Sequence, residues 1–343
     1  MSKLILDKLK TIKPLVKGKG LPFEKYGVVK DGILYFSNIA VEVEIPIDIP
    51  FNCCIDLYQL TTVLSDIKGE SVIVNKDNQV SVHYNDTDYN IETLPFDALD
   101  NTLHFFNAVP SVQCNRPFVF KHLCKIAEDY VQAIENKMNI KYATETLIVD
   151  NGIVMCSDQK NVIQGMLDFG MPNLAIPLET LISFNKVASK SDIVAMDMTA
   201  DNLYLLIEFD NGLKCYLQNL QPYDPAKVVQ QAGVLNGALN KVWESPTVVI
   251  PDYVKQQIKM VNKISLQNVV HLTSSFCQAN NSQIHYPSFT DDVFAFKAIY
   301  RHIAMALAYG HLFGICKKGL SFLSEDNHIR GFISKMLSDD PRG

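Results

Sequence analysis

The chain has 343 residues, 48% of them hydrophobic and 20% charged, with a formal net charge of −6. That length allows two or three domains with ample apolar material for separate cores. The acidic balance excludes a protein that coats nucleic acid over its whole surface, although positive charge gathered on one face would still suit DNA. No apolar run reaches the roughly 18 residues of a membrane span, and charge begins at Lys3, too early for a signal-peptide core, so a soluble cytoplasmic protein is expected.

One unit recurs along the chain: an apolar-and-lysine helix followed by short alternating strands. The first helix is expected from Ser2 to Val16, with Ile5, Leu9, Ile12 and Val16 on one stripe and Lys3, Lys10, Lys13 and Lys17 off it. Strands follow at Tyr26–Lys30, Ile33–Asn38 and Val41–Ile47, with a Lys30-Asp31-Gly32 turn between the first two. A strand at Phe51–Ile55 and a helix at Leu57–Ile67 open the second unit, whose strands are Ser71–Asn75, Gln79–Tyr84 and Tyr89–Thr93. Residues 95–114 read as a connector.

The third unit has a helix at Phe120–Ile134 and strands at Thr144–Val149, Ile153–Ser157 and Gln164–Phe169, with an Asp150-Asn151-Gly152 turn. The fourth has a strand at Leu174–Ile176, a helix at Leu178–Ala188, and strands at Ile193–Met198, Leu203–Phe209 and Gly212–Asn219. Residues 220–245, rich in Gln, Gly and Asn, read as a second connector. The fifth unit starts with a helix at Pro251–Ile264, Pro at its start. Its core positions include Val254, Ile258 and Val261, and Lys255, Lys259 and Lys263 repeat every four residues on another face. Strands at Val269–Ser274 and Gln283–Tyr286 follow. The sixth has a strand at Val293–Phe296, a helix at Lys297–Tyr309 and strands at Leu312–Cys316, Leu320–Leu323 and Ile329–Lys335.

The eight cysteines include no CxxC pair and read as buried thiols of a reducing compartment; Cys277 and His285 are too isolated for a zinc site. No phosphate loop, GxSxG elbow or HExxH motif is present. Asp158 with Lys160, Asp291-Asp292 and Ser274-Ser275 read as turn residues rather than an acid–base pair, a metal site or a nucleophile. An enzyme is therefore not expected, nor is any cofactor or metal.

Three stretches carry a family resemblance. Gly152–Lys160 looks like a strand followed by a "TDGHRL"-type turn, Gly212–Asp224 like a strand with an "FPDY"-type connector, and Gly331–Leu337 like a "VMPM"-type terminal strand. With the order of elements over essentially the whole chain, they resemble the bacterial-type DNA sliding clamp, the beta subunit of DNA polymerase III. The first stretch lacks the usual Gly-His, the second reads Pro-Tyr-Asp-Pro and the third lacks its proline, which points to a diverged member such as a phage would encode.

The resemblance implies an α+β fold of three clamp domains, 1–110, 111–225 and 226–343. Each holds two β-α-β-β-β units, with helices lining one face and antiparallel sheets outside. It implies a processivity factor that encircles double-stranded DNA as a homodimeric ring, tethers a DNA polymerase and is opened by a clamp-loader ATPase. The bore would carry Lys10, Lys13, Lys17, Lys121, Lys125, Lys186, Lys190, Lys255, Lys259, Lys263, Lys297 and Arg301. Diffuse charge of this kind holds phosphates without reading bases. A partner-peptide groove would be walled by Val162, Pro222, Val228, Val229, Ile333 and Met336. The competing readings are lysines that merely cover solvated helix faces, and a structural or assembly protein of repeated α+β units with no DNA at its centre.

Overall fold

In the computed structural model of the chain, the described residues are 2–38, 40–76, 79–99, 120–121, 124–125, 146–157, 161–166, 173–189, 191–221, 223–264, 269–316 and 318–336. Six copies of one small repeat account for most of them. The first is helix α1 (Ser2–Ile12) with β1 (Tyr26–Lys30), β2 (Ile33–Ser37) and β3 (Val41–Pro46), plus a one-turn helix α2 (Pro22–Lys25). The second runs β4 (Cys53–Asp56), α3 (Leu57–Asp66), β5 (Val72–Lys76), β6 (Gln79–Tyr84) and β7 (Thr87–Ile91), and the short β8 (Thr93–Leu94) follows it. The third shows β9 (Thr146–Asp150), β10 (Ile153–Ser157) and β11 (Asn161–Met166); of its expected helix, residues 120, 121, 124 and 125 are described and helical.

The fourth repeat is β12 (Leu174–Pro177), α4 (Leu178–Ala188), β13 (Ile193–Met198), β14 (Tyr204–Phe209) and β15 (Lys214–Gln218). Helix α5 (Pro225–Val242) comes next. The fifth repeat is β16 (Val248–Val249), α6 (Asp252–Ile264), β17 (Val269–Thr273), β18 (Phe276–Ala279) and β19 (Ser282–His285). The sixth is β20 (Ala295–Ile299), α7 (Tyr300–Tyr309), β21 (Leu312–Cys316), β22 (Gly319–Leu323) and β23 (Ile329–Ser334).

Local chemistry explains these elements. The Asp31-Gly32 and Asn151-Gly152 turns hold both central residues at positive φ, between 50° and 76°, the backbone that a two-residue hairpin needs and that Gly and Asn or Asp supply cheaply. Helix α3 starts where Asp56 Oδ1 accepts the Gln59 N–H at 2.9 Å, filling a donor that the helix cannot satisfy internally. The fully buried Asp56 also pairs with Lys25 at 2.8 Å, and Lys25 pairs with Glu92 at 2.8 Å. Helix α6 buries Val254, Ile258 and Val261, one stripe of the 3.6-residue period.

The chain divides into two compact units: residues 1–128, 169–171 and 176–222, and residues 129–168, 172–175 and 223–343. The first contains an antiparallel sheet ordered β13-β14-β15-β3-β2-β1-β4-β8 and a three-stranded sheet β5-β6-β7. Phe120, Phe184 and Phe209 stack in its core, with ring centroids 6.1 and 5.9 Å apart. The second contains β12-β9-β10-β11-β23-β22-β21-β16 and a four-stranded sheet β19-β18-β17-β20.

A pairing rule is visible in these orders. The third strand of repeat one, β3, joins the third strand of repeat four, β15, with Val43 opposite Cys215. The third strand of repeat three, β11, joins that of repeat six, β23, with Val162 opposite Phe332. The third strands of repeats two and five, β7 and β19, each end a sheet and have one edge unpaired among the described residues.

Several expectations are corrected. The connector expected at 220–245 contains the 18-residue α5. Pro225 opens it, Asp224 caps it by accepting the Lys227 N–H at 3.3 Å, and Val228, Ala232, Leu235 and Leu239 form its buried stripe. The strand expected at 164–169 lies at 161–166, and a strand at 276–279 was not anticipated. The last helix begins at Tyr300, so Lys297 belongs to β20. The first ends at Ile12, which leaves Lys13 and Lys17 beyond it.

Candidate functional site

The expected cationic residues differ in their exposure and in the partners seen beside them. On α6, Lys259 and Lys263 are exposed and have no ion pair among the described residues, while Lys255 sits 3.4 Å from Asp252 one turn earlier. All three lie off the Val254–Ile258–Val261 stripe. On and after α1, Lys10 and Lys13 are exposed, but Lys17 is paired with the buried Glu24. Lys17 holds the Glu24 carboxyl below the usual carboxylate range.

In the third and fourth repeats, Lys125 and Lys186 are exposed, whereas the half-buried Lys121 donates to the Ser191 carbonyl at 3.0 Å. Lys190 lies outside the described residues. Lys297 stands across from His271 in β17; burial, with Lys297 and Lys335 nearby, pushes that imidazole down. Arg301 is half-buried at the start of α7, its Nε enclosed with no hydrogen-bond partner among the described residues. Helix α3 carries no Lys or Arg at all. Lysine is thus dense on both α1 and α6, with three in each, and absent from α3.

The five expected groove residues that are described do not line one surface. Val162 and Phe332 are direct partners on β11 and β23 and pack in one cluster with Leu239 of α5 and Cys316. Ile333 is opposite Asn161, one residue out of phase, so strand alternation turns it to the other face of the sheet, where it is fully buried. Val228 is buried by α5, Val229 is exposed on it, Met336 is half-buried with its N–H bonded to the Lys297 carbonyl at 2.8 Å, and Pro222 lies outside the described residues.

A polar cluster beside that strip escaped sequence reasoning. Arg330 of β23 donates through Nε to Gln164 Oε1 at 2.5 Å and through Nη2 to Asn240 Oδ1 at 3.0 Å and Asn236 Oδ1 at 3.4 Å. Gln164 also donates to Asn236, at 3.1 Å, and the guanidinium lies 5.4 Å from the Trp243 ring centre. The only available signal was the four-residue spacing of Asn236 and Asn240, which has meaning only on a helix.

The residues weighed for chemistry sit where turns need them. Asp291 and Asp292 are exposed, the Asp292 N–H donating to Thr290 Oγ1, and Ser274 donates its N–H to the Phe294 carbonyl. Asp158 and Lys160 lie outside the described residues. Among the described residues there is no group of three or more His, Cys, Asp or Glu placed to hold a metal, and no helix long and apolar enough to cross a membrane.

No family model and no curated protein matches the sequence. Solved structures do. The Helicobacter pylori beta clamp bound to a DNA ligase peptide superposes with a TM-score of 0.68 at 13% identity, covering 98% of each chain. The DNA polymerase III beta subunit of Pseudomonas aeruginosa gives 0.68 at 12% identity, and the Streptococcus pyogenes beta subunit 0.69 at 12%, again over 98% of both chains. The chain has the bacterial beta sliding-clamp fold. The likeness in fold covers 98% of the chain despite the low identity, so the order of helices and strands is kept far better than the side chains that cover it. The departures from clamp motifs at residues 152–160, 212–224 and 331–337 agree with that degree of divergence.

Proposed function

We propose that this protein is a DNA sliding clamp and processivity factor. Two copies close head to tail around duplex DNA, and the ring tethers a replicative polymerase without performing chemistry. Each chain supplies three of six domains, 1–110, 111–225 and 226–343.

The observation that carries this reading is the pairing of third strands. Repeats one and four join, as do three and six, which leaves β7 of repeat two and β19 of repeat five each with an edge that no strand pairs among the described residues. The same rule pairs repeat two of one copy with repeat five of the other. Made twice, that join uses both open edges and closes a ring with two-fold symmetry. Helix α6, packed on β18 and β19, flanks the open edge with exposed Met260 and Ile264, an apolar surface suited to burial in such a join.

Lys255, Lys259 and Lys263, with Lys10, Lys13, Lys125 and Lys186, would face phosphates as diffuse charge that permits sliding. A closed ring requires an ATPase to open it, and the setting is the bacterial cytoplasm in which a phage replicates. The H. pylori clamp binds a DNA ligase peptide, and by likeness this clamp would hold its polymerase through an apolar peptide docked on the second compact unit.

Primer extension on a primed circle, with a bacterial replicative polymerase and its loading ATPase, tests the function. The protein should lengthen products severalfold. The Lys255→Glu, Lys259→Glu, Lys263→Glu variant should load poorly while keeping its fold and mass, and its DNA binding should lose about three units of salt dependence. Products of unchanged length with the unaltered protein would overturn the assignment.

A further inference from the structure

We propose that the join between β7 of one copy and β19 of the other carries a His–Asp–His contact, in which Asp88 stands between its own His83 and the partner's His285, and that ring closure tightens as these imidazoles take up protons. This contact rests on the ring reading above and deepens it by naming the register of the join and the groups that regulate it.

The register comes from the two joins inside the chain. Each hairpin of second and third strands has one inward-facing pair whose residues are seven to nine apart in sequence. In repeats one, three, four and six these pairs are Phe36 with Val43, Cys156 with Ile163, Ile207 with Cys215, and Phe322 with Gly331. In both joins the third-strand members of these pairs face each other: Val43 opposite Cys215, and Ile163 opposite Gly331. In repeats two and five the corresponding pairs are the buried Val82 with Tyr89 and the buried Cys277 with Ile284. The same register sets Tyr89 against the partner's Ile284. One residue to either side, Asp88 then meets the partner's His285 and Asn90 the partner's Gln283.

The chemistry of that face favours the contact. Side chains alternate along a strand, so Asp88 and His285 both point away from the face that buries Val82 and Cys277. His83 Nδ1 already lies 2.8 Å from Asp88 Oδ1, with both side chains half exposed. His285 is exposed, its ring centre 5.9 Å from that of Phe276. Directly opposed Cβ atoms of an antiparallel pair are about 5 Å apart, within reach for a carboxylate and an imidazole. On the β7 side the surrounding groups are His83, Val72 opposite it on β5, and Asp86 exposed in the turn before β7. On the β19 side they are Phe276 and Gln278 of β18, then His271 of β17 and Lys297 of β20. Strands β17 to β20 contain no Asp or Glu, so Asp88 brings a carboxylate to a face that offers imidazoles and a lysine.

The sign of the pH response follows. Imidazole is the side chain that ordinarily changes charge between about pH 5 and pH 8, and a neighbouring carboxylate favours its charged form. Joining the copies therefore draws protons onto the imidazoles, so association strengthens as pH falls through that range and weakens as pH rises out of it. An exposed pair of this kind shifts a constant by about threefold, and two joins per ring make about tenfold.

Sedimentation equilibrium of the full chain, with EDTA present, measures the dimer constant from about pH 8 to about pH 5.5. Asp88→Asn and His285→Gln should each remove most of the tenfold tightening, and the double variant should remove no more than either alone. His271→Gln, two strands from the join, should keep it. Register is read separately from cysteine pairs. Asp88→Cys with His285→Cys should give a covalent dimer on mild oxidation, whereas Asp88→Cys with Gln283→Cys, two residues out of register, should not. The described native cysteines are buried, which keeps the background low. A dimer whose pH response is unchanged by Asp88→Asn, or one crosslinked by the second cysteine pair and not the first, would overturn the contact while leaving the ring in place. A strict monomer at every concentration and pH would overturn the ring and the contact together.

Discussion

Replacing Met260 and Ile264 with serine tests whether α6 closes against a second copy. Both lie on a stripe of α6 separate from its Val254, Ile258 and Val261 core, and they are 53% and 59% exposed. The substitution therefore leaves the interior alone. Fully burying a Met or Ile side chain stabilises by roughly 1.5–3 kcal/mol, and about half of each remains to be buried, so each contributes about 1 kcal/mol to a contact. A closed ring makes the contact twice with four such side chains in all, giving about 4 kcal/mol, or roughly a thousandfold in the dimer dissociation constant. Sedimentation equilibrium over a range of concentrations measures that constant, and thermal melting by circular dichroism at high dilution checks that the monomer keeps its stability. A dimer constant changed by less than tenfold would refute the reasoning, because it would mean that α6 stays in water when the chains associate.

Lys25 is the clearest stability prediction. It is the ionic partner of the fully buried Asp56, which also caps α3, so Lys25→Ala should destabilise the first compact unit by about 2–3 kcal/mol in urea unfolding, less than a fully buried pair because Lys25 is partly exposed. A loss below 0.5 kcal/mol would show that water replaces the lysine. Acid sensitivity follows from Glu24 and Glu92, whose carboxyls Lys17 and Lys25 hold below their ordinary value of 4.5. A depressed carboxylate contributes stability that is complete above its unfolded value and is lost as pH falls through the folded one. The melting temperature should therefore drop below about pH 4.5, and Lys17→Ala should flatten part of that drop; a variant curve parallel to the original would contradict the assignment.

Much of the fold was legible because each repeat states its own pattern. The alternation and turns at Asp31-Gly32 and Asn151-Gly152 placed β1, β2, β9 and β10 within a residue or two, and Leu178–Ala188 was placed at its observed bounds. Helix α5 was not legible, because Gly233, Gly237 and its Asn and Gln residues argue against a helix locally. What makes it helical is the burial of Val228, Ala232, Leu235 and Leu239 on a sheet brought together from distant sequence. Missing α5 also hid the Arg330 cluster, and the face of the sheet that Ile333 occupies depends on a register with Asn161 that no local pattern specifies. Among the cationic residues, periodicity identified Lys255, Lys259 and Lys263 as one face, but it could not foresee that Glu24 and the Ser191 carbonyl engage Lys17 and Lys121.

Retention on DNA of defined topology tests the ring most directly. The protein is loaded onto nicked circular duplex, washed at high salt, and the circle is then cut once. A clamp that encircles DNA resists the wash, because its hold is topological rather than electrostatic, and leaves within minutes of the cut by sliding off the new end. Protein that salt strips from the intact circle, or that stays bound after the cut, would contradict the account.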